Sequence, residues 1–171
     1  RDFCLSRGLG DVYKRQKKVY GVVTNMSIAV ERRDYLKHFD CFVCNQIEAG
    51  IFFAEDYEGK TPQELCEIIS ANVVSAQIPS IVVTMGGEGA VYADCKGNKG
   101  IYPARKVIVR DTTGAGDAFF AGVAIGMTYG KELKEAVEIG TRLAASVIIT
   151  TDNVCPRFLP KELGLDIDVE E

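Results

Sequence analysis

A chain that alternates short apolar runs with capped amphipathic stretches has few ways to fold, and this sequence does so over most of its length. Thr61 stands before Pro62, with Glu64 three places on, and this is a capping box opening a helix whose Leu65, Ile68, Ile69 and Val73 share one face. Ile81, Val82, Val83 and Thr84 then make a continuous apolar run of the kind buried in parallel sheets. The same logic reads Val19 to Thr24 as a buried strand, 31–39 as a helix and Cys41 to Cys44 as a short strand ending at Asn45. Ala90 to Ala93 and Ile101-Tyr102 flank a turn over 96–100 and form a hairpin. Val107-Ile108-Val109 leads into a small-residue loop, followed by a helix that is apolar nearly all round and stops near Gly130. A last helix over 131–148 carries Leu133, Ala136, Val137, Gly140, Leu143, Ala144, Val147 and Ile148 as one stripe, with Glu138 and Arg142 placed to pair on the other face. Without repeats or low-complexity linkers, this predicts an α/β fold, an open and mostly parallel sheet flanked by helices. Ligands in such sheets sit beyond the carboxyl ends of the strands, where Asn45, Thr84 and Asp111 are expected.

The 171 residues are 47% hydrophobic and 26% charged, the profile of one ordinary globular domain. A net charge of −4 argues against nucleic acid or an anionic membrane as a partner. No apolar run reaches the ~18 residues of a membrane span, and no leader opens the chain, so a cytoplasmic protein is expected. Six cysteines, Cys4, Cys41, Cys44, Cys66, Cys95 and Cys155, are scattered through apolar segments and read as reduced and buried. Cys41 and Cys44 have the spacing of a redox or zinc pair, but on a strand such side chains point to opposite faces and cannot share one ion. His38, the only histidine, is expected to flank the helix around Tyr35 and Leu36.

Residues 1–16 differ from the rest. They begin with Arg, mix Arg, Gly and Lys, and hold no period of 2 or 3.6. They read as a non-native or disordered segment resembling translated adapter sequence, so the interpretable chain, 17–171, starts near Lys17 and in mid-domain.

The chemistry concentrates in Asp111-Thr112-Thr113-Gly114-Ala115-Gly116-Asp117. A loop without bulky side chains opens a helix there, and a helix start offers unpaired N–H groups and the positive end of the dipole to a phosphate. Asp117, in the first turn beside that anion site, is suited to take a proton from a hydroxyl while phosphoryl charge develops. A turn that needs both glycines and a dipole-matched acid is the plainer explanation. Asn45 and Glu48, three apart after a strand, would order magnesium-bound waters near phosphates, or simply form a capping box. Thr84, Gly86 and Gly89 form a glycine-rich turn after a strand, fit for close approach of a nucleotide or for a plain tight turn. No Walker A sequence occurs.

The run from Asp111 to Phe119 resembles the C-terminal signature of the ribokinase-like, phosphofructokinase B type carbohydrate kinases, and the Asn45-x-x-Glu48 and Thr84-x-Gly86-x-x-Gly89 motifs resemble that family's other two, in order and in register. The resemblance implies a ribokinase-like three-layer fold and an ATP-dependent transfer of phosphate to a primary hydroxyl of a sugar or nucleoside. It makes Asp117 the catalytic base and the amides of Gly114, Ala115 and Gly116 the anion hole. It assigns Asn45 and Glu48 to Mg²⁺ through water, Thr84, Gly86, Gly89 and Thr113 to ATP, and Asp111 and Thr113 to a monovalent cation such as K⁺. Family members carry an N-terminal half and a β-sheet lid, through which many dimerise; neither resembles anything before Lys17, so the chain alone is expected not to turn over. Residues Ala144 to Ile148 and Thr151 to Pro156 resemble the pseudouridine kinase branch, which favours pseudouridine over ribokinase, fructokinase or adenosine kinase type substrates.

Overall fold

The computed structural model describes residues 18–23, 31, 33–151, 156 and 158–165. The segment 1–16, and most of 151–156, lie outside the described residues. The chain forms two compact units that meet in sequence between Ile101 and Tyr102.

In the first unit the sheet runs in the order β1 (Tyr20–Val22), β2 (Cys41–Asn45), β3 (Ser80–Thr84), β4 (Ala90–Asp94) and β5 (Lys99–Tyr102). β1, β2 and β3 are parallel, and β4 turns back antiparallel to β3. Parallel neighbours need crossovers of a dozen or more residues. Between β2 and β3 that crossover holds α1 (Gln46–Phe53) and α2 (Pro62–Ala76). A 3₁₀ helix, Arg33–His38, precedes β2 where a longer helix over 31–39 was expected. His38 closes it, its ring 6.2 Å from that of Tyr35.

Alternation along the strands sends Phe42, Cys44, Ile81, Val83, Val91 and Ala93 into one core with Ala49, Phe52, Leu65, Ile69 and Val73 of the two helices. Cys41, Val43 and Val82, on the opposite parity, are also at most 3% exposed, which is why these strands read as unbroken apolar runs. The capping box at Thr61 and Glu64 forms as expected, with Glu64 Oε2 accepting from the Thr61 amide at 2.9 Å. In the hairpin, Asp94 Oδ1 accepts from the amides of both Lys96 and Asn98 at 2.9 Å and so shapes the turn into β5.

The second unit is built on α3 (Ala115–Thr128) and α4 (Leu133–Ile148), with Gly130 between them at φ 79°. The two helices touch through their glycines. A Cβ on Gly140 would lie 2.7 Å from the Phe119 carbonyl oxygen, and one on Gly122 would lie 2.6 Å from Gly140 Cα. Gly126 meets Ala136 in the same way, at 2.8 Å from its Cα. Ala118, Ile139, Leu143 and Val147 fill in beside this seam with Leu163 and Leu165 from the tail. The expected Glu138 and Arg142 pairing gives way to other partners. Arg142 Nη2 donates to the Glu162 carbonyl at 2.5 Å, and Glu138 hydrogen-bonds Tyr102.

Because the seam leaves no room for a side chain, Gly140→Val must push α3 and α4 apart. We expect a loss of about 2–3 kcal/mol in urea unfolding, near the upper end for overpacked cores. An unchanged midpoint would show that the helices are not in backbone contact.

Candidate active site

Two of the three motifs meet at one sheet edge. Asn45 ends β2 and Thr84 ends β3, and the two are register partners on neighbouring parallel strands. The expectation that both stand at the carboxyl edge holds. Asn45 is exposed and caps α1; its Oδ1 accepts from the Glu48 amide at 2.9 Å, while its own amide donates to Glu48 Oε2 at 2.8 Å. The capping box is therefore real. It uses one oxygen of each side chain, and Glu48 Oε1 has no partner among the described residues. A carboxylate held this firmly with one hard oxygen to spare fits Mg²⁺, which keeps most of its waters and takes one or two carboxylates. Among the described residues, no group of three or more His, Cys, Asp or Glu is placed to hold a metal by itself.

After Thr84 the chain makes a single 3₁₀ turn, Gly86–Glu88, and re-enters the sheet at Ala90. Met85 donates to the Gly89 carbonyl at 2.8 Å and so closes the turn. Gly86 has φ 56°, and Gly89 has φ 104° with ψ −136°, a region open essentially to glycine alone. The tight turn thus accounts for both glycines by backbone geometry. Thr84 is half-buried, its hydroxyl 3.5 Å from the Cys44 carbonyl oxygen.

The third motif belongs to the second unit and is described by itself. Residues 103–112 carry no regular element, and Ile108 and Val109 are exposed, so Asp111 does not end a strand as expected. β-branched residues favour strands only where neighbours pack on them, and these lack such neighbours among the described residues. Instead, the loop is tied to the end of α4, with the Arg110 amide donating to the Ile148 carbonyl at 2.9 Å. Asp111 Oδ1 accepts from the Thr113 amide at 2.9 Å, and this bond, with one to the Thr113 side chain, holds its carboxyl below the usual carboxylate range.

Gly114 then caps α3 at φ 77°, a left-handed conformation that explains its glycine. Gly116 is different. Its φ is not positive, and a Cβ there would meet nothing within 4 Å. The fold of this unit does not need that glycine, contrary to the reading in which the turn requires both. α1 and α2 have full capping boxes, and at α4 Glu135 Oε2 accepts from the Glu132 amide at 3.1 Å. α3 has no side-chain cap. Ala115 donates to the Thr112 carbonyl and Ala118 to that of Gly114, while the amides of Gly116 and Asp117 have no partner among the described residues. Asp117 is the third residue of the helix and is exposed. This arrangement can receive an anion on open amides with a carboxylate alongside.

Comparison with known proteins gives the class. Residues 9–156 match the family model described as pfkB family carbohydrate kinase, and the chain belongs to that family. It is 34% identical over 141 residues to the guanosine-inosine kinase of Exiguobacterium acetylicum, covering 82% of this chain and 46% of that protein. Among solved structures, ribokinase from Thermotoga maritima superposes with a TM-score of 0.67 at 23% identity, over 90% of this chain and 50% of that one. A fructokinase from Vibrio cholerae O395, in a form with fructose, ADP and calcium ion bound, gives 0.72 at 18% identity, over 87% and 50%. These structures share the ribokinase-like α/β fold, and the chain spans about half the length of the relatives it matches. No helix among the described residues is long and apolar enough to cross a membrane.

Reading the motifs as sequence missed the polar contacts behind them. Gln46, an unassigned position inside Asn45-x-x-Glu48, donates its side-chain amide to the Tyr57 carbonyl, and nothing in its spacing signals this. The glycine seam had a visible signal, small residues four apart at Gly122 and Gly126.

The cysteine pair gives a test. Burial pushes the Cys41 thiol up to about 12 from an ordinary 9.0, partly offset by the Ser80 hydroxyl, and burial also drives Cys44 well above the ordinary value. A thiol raised by folding loses its stabilising effect as pH climbs from the unfolded to the folded value, so unfolding free energy should fall between about pH 9 and 12 and be flat in this respect below 9. At pH 8 a disulfide reagent should leave Cys41 and Cys44 unmodified in the folded protein. Rapid labelling of both, read by peptide mapping, would restore the redox-pair reading.

Proposed function

We propose that the full-length protein is an ATP-dependent kinase that transfers the γ-phosphoryl group to a primary hydroxyl of a small acceptor, with Asp117 as general base. The observation that carries this reading is the uncapped start of α3: of the four α-helices among the described residues it alone lacks a side-chain cap or a reciprocal acid, and Gly116 is small for no reason within its own unit. The amides of Gly114, Ala115 and Gly116 supply an anion hole for the equatorial oxygens of the transferred group, with that of Gly116 open and that of Ala115 exchanging its 3.2 Å bond to the Thr112 carbonyl for the phosphoryl oxygen. Asp117 is one turn from the cap, exposed, and on the same first turn as those amides, so it can accept the acceptor's proton as the oxygen attacks. In this reading Thr84, Gly86 and Gly89 line the nucleotide site, with Thr113. Asn45 and Glu48 hold Mg²⁺ through water, and the ion supplies neutralisation of phosphate charge. The resemblance also implies a K⁺ site at Asp111 and Thr113, where Asp111 Oδ1 already accepts from the Thr113 amide.

The acceptor we propose is a nucleoside, with pseudouridine foremost. Similarity to a guanosine-inosine kinase supports a nucleoside, and the pseudouridine reading rests on the resemblance of residues 144–148 and 151–156 to that branch. We place the enzyme in the cytoplasm, where ATP and nucleosides meet, and the family lid as the surface of a homodimer. An acceptor panel of pseudouridine, inosine, ribose and fructose decides the acceptor. Turnover of the two free sugars without the nucleosides would overturn the assignment.

Two substitutions test the chemistry. Asp117→Asn in the full-length protein should lower kcat by ~10²–10⁴ with little change in thermal midpoint, since the side chain is exposed; wild-type kcat would sink the assignment of the base. Gly116→Ala separates fold from function. Alanine is better in a helix by about 0.5–1 kcal/mol, so the variant should be slightly more stable and yet turn over more slowly, because a methyl group stands where the phosphoryl oxygens approach. A stabilised variant with unimpaired turnover would remove the anion hole from the mechanism.

A further inference from the structure

α1 has eight residues, too few to be stable alone, and it is apolar on more than one side. Ala49, Gly50 and Phe52 are buried while Ile47 is 76% exposed and Ile51 42% exposed. Phe52, edge-on to Phe42 with ring centroids 5.0 Å apart, anchors the second half of the helix in the core, whereas the first turn sends only Ala49 into it. A polar contact adds to the hold on that first turn. The Gln46 side-chain amide donates to the Tyr57 carbonyl, eleven residues on. Tyr57 is itself fixed: its ring is 2% exposed in the core, and its hydroxyl accepts from Asn72 Nδ2 of α2 at 3.0 Å. Asn72 also donates to Glu55 Oε1 at 3.1 Å. The Glu55 amide in turn donates to the Gly50 carbonyl at 2.9 Å, and a Cβ on Gly50 would come within 2.7 Å of the Glu55 carbonyl oxygen. The loop over 54–60 is thus anchored to α2 and holds α1 at both ends.

We propose that Gln46 is a positioning residue for the metal motif: its bond to the Tyr57 carbonyl pins the first turn of α1 and with it the direction of the Glu48 carboxylate. The inference rests on the reading of Asn45 and Glu48 as the Mg²⁺ motif. The capping box ties Glu48 back to Asn45 at the end of β2, and the Gln46 bond links the same turn to a second point, the loop that follows the helix. Gln46 touches no reacting atom, and it acts through Glu48.

The test is a calorimetric titration of Mg²⁺ into the full-length protein saturated with ADP, with hydrogen exchange of the α1 amides as a readout independent of activity. Gln46→Ala should weaken Mg²⁺ affinity ~10-fold, the low end for loss of a partner that orients a metal ligand. Exchange over 46–53 should quicken, and ADP affinity measured without Mg²⁺ should stay unchanged. Asn72→Ala, which loosens Tyr57 from the other side, should shift Mg²⁺ affinity in the same direction by less, and it carries the test if Gln46→Ala does not fold. Glu48→Gln is the control. If Glu48→Gln weakens Mg²⁺ and the two positioning variants do not, the inference fails and the metal motif stands. If Glu48→Gln itself leaves Mg²⁺ affinity unchanged, the metal motif fails and the inference goes with it. Parallel loss of ADP affinity without Mg²⁺ would assign Gln46 to general support of the fold and overturn the positioning role.

Discussion

Every helix begins with amides that its own turns cannot satisfy, and this constraint organises the molecule. In α1 and α2 the sequence answers it with a side chain on each side of the first turn, and in α4 with the Glu135 carboxylate. In α3 it answers with a left-handed glycine and no side chain. Leaving amides open to solvent forgoes roughly the 0.5–2 kcal/mol that a cap contributes. The helix tolerates this because its stability comes from elsewhere. Its glycine seam with α4 brings two backbones into direct contact along Phe119, Gly122 and Gly126, and such a contact depends on few torsions.

The sheet edge solves a different problem with the same device. Asn45 and Thr84 are register partners, so the two strand ends stop level with one another. Topology dictates how the chain continues from each strand end. β2 must cross over to reach a parallel neighbour and so runs into a helix, whose start needs a cap. β3 returns antiparallel and needs only a tight turn, whose left-handed positions need glycine. The residue types of both motifs are therefore accounted for by folding alone. Any chemical role at Asn45 and Glu48 is carried by what the capping box leaves over, one carboxylate oxygen fixed in space.

Much of this was legible in the sequence. The capping boxes at Thr61 and Asn45, the apolar strands and the glycine that ends α3 are local rules, each decided within a few residues. The failures were of another kind. Val107, Ile108 and Val109 have strand-forming side chains, but a strand needs a partner, and partnership is not encoded locally. Glu138 and Arg142 have the spacing of an ion pair, yet each found a partner distant in sequence, Tyr102 and the Glu162 carbonyl. A weak exposed pair loses to a bond with a positioned backbone oxygen. Gln46 was invisible for the same reason: its partner is a carbonyl, which every residue has.

The two glycines of the Gly114-Ala115-Gly116 loop show how structure separates readings that sequence leaves equal. Both would be explained by a turn, and both by close approach of a phosphate. Backbone geometry claims Gly114 for the turn, since its φ of 77° excludes a side chain at little strain. It makes no claim on Gly116, which sits in helical geometry with open space where a Cβ would be. Helix propensity argues against glycine there, by up to about 1 kcal/mol relative to alanine. A residue that costs stability and relieves no strain in its own unit is accounted for by something that approaches from outside. In the mechanism proposed above that is the phosphoryl group in transit, with Asp117 exposed beside it.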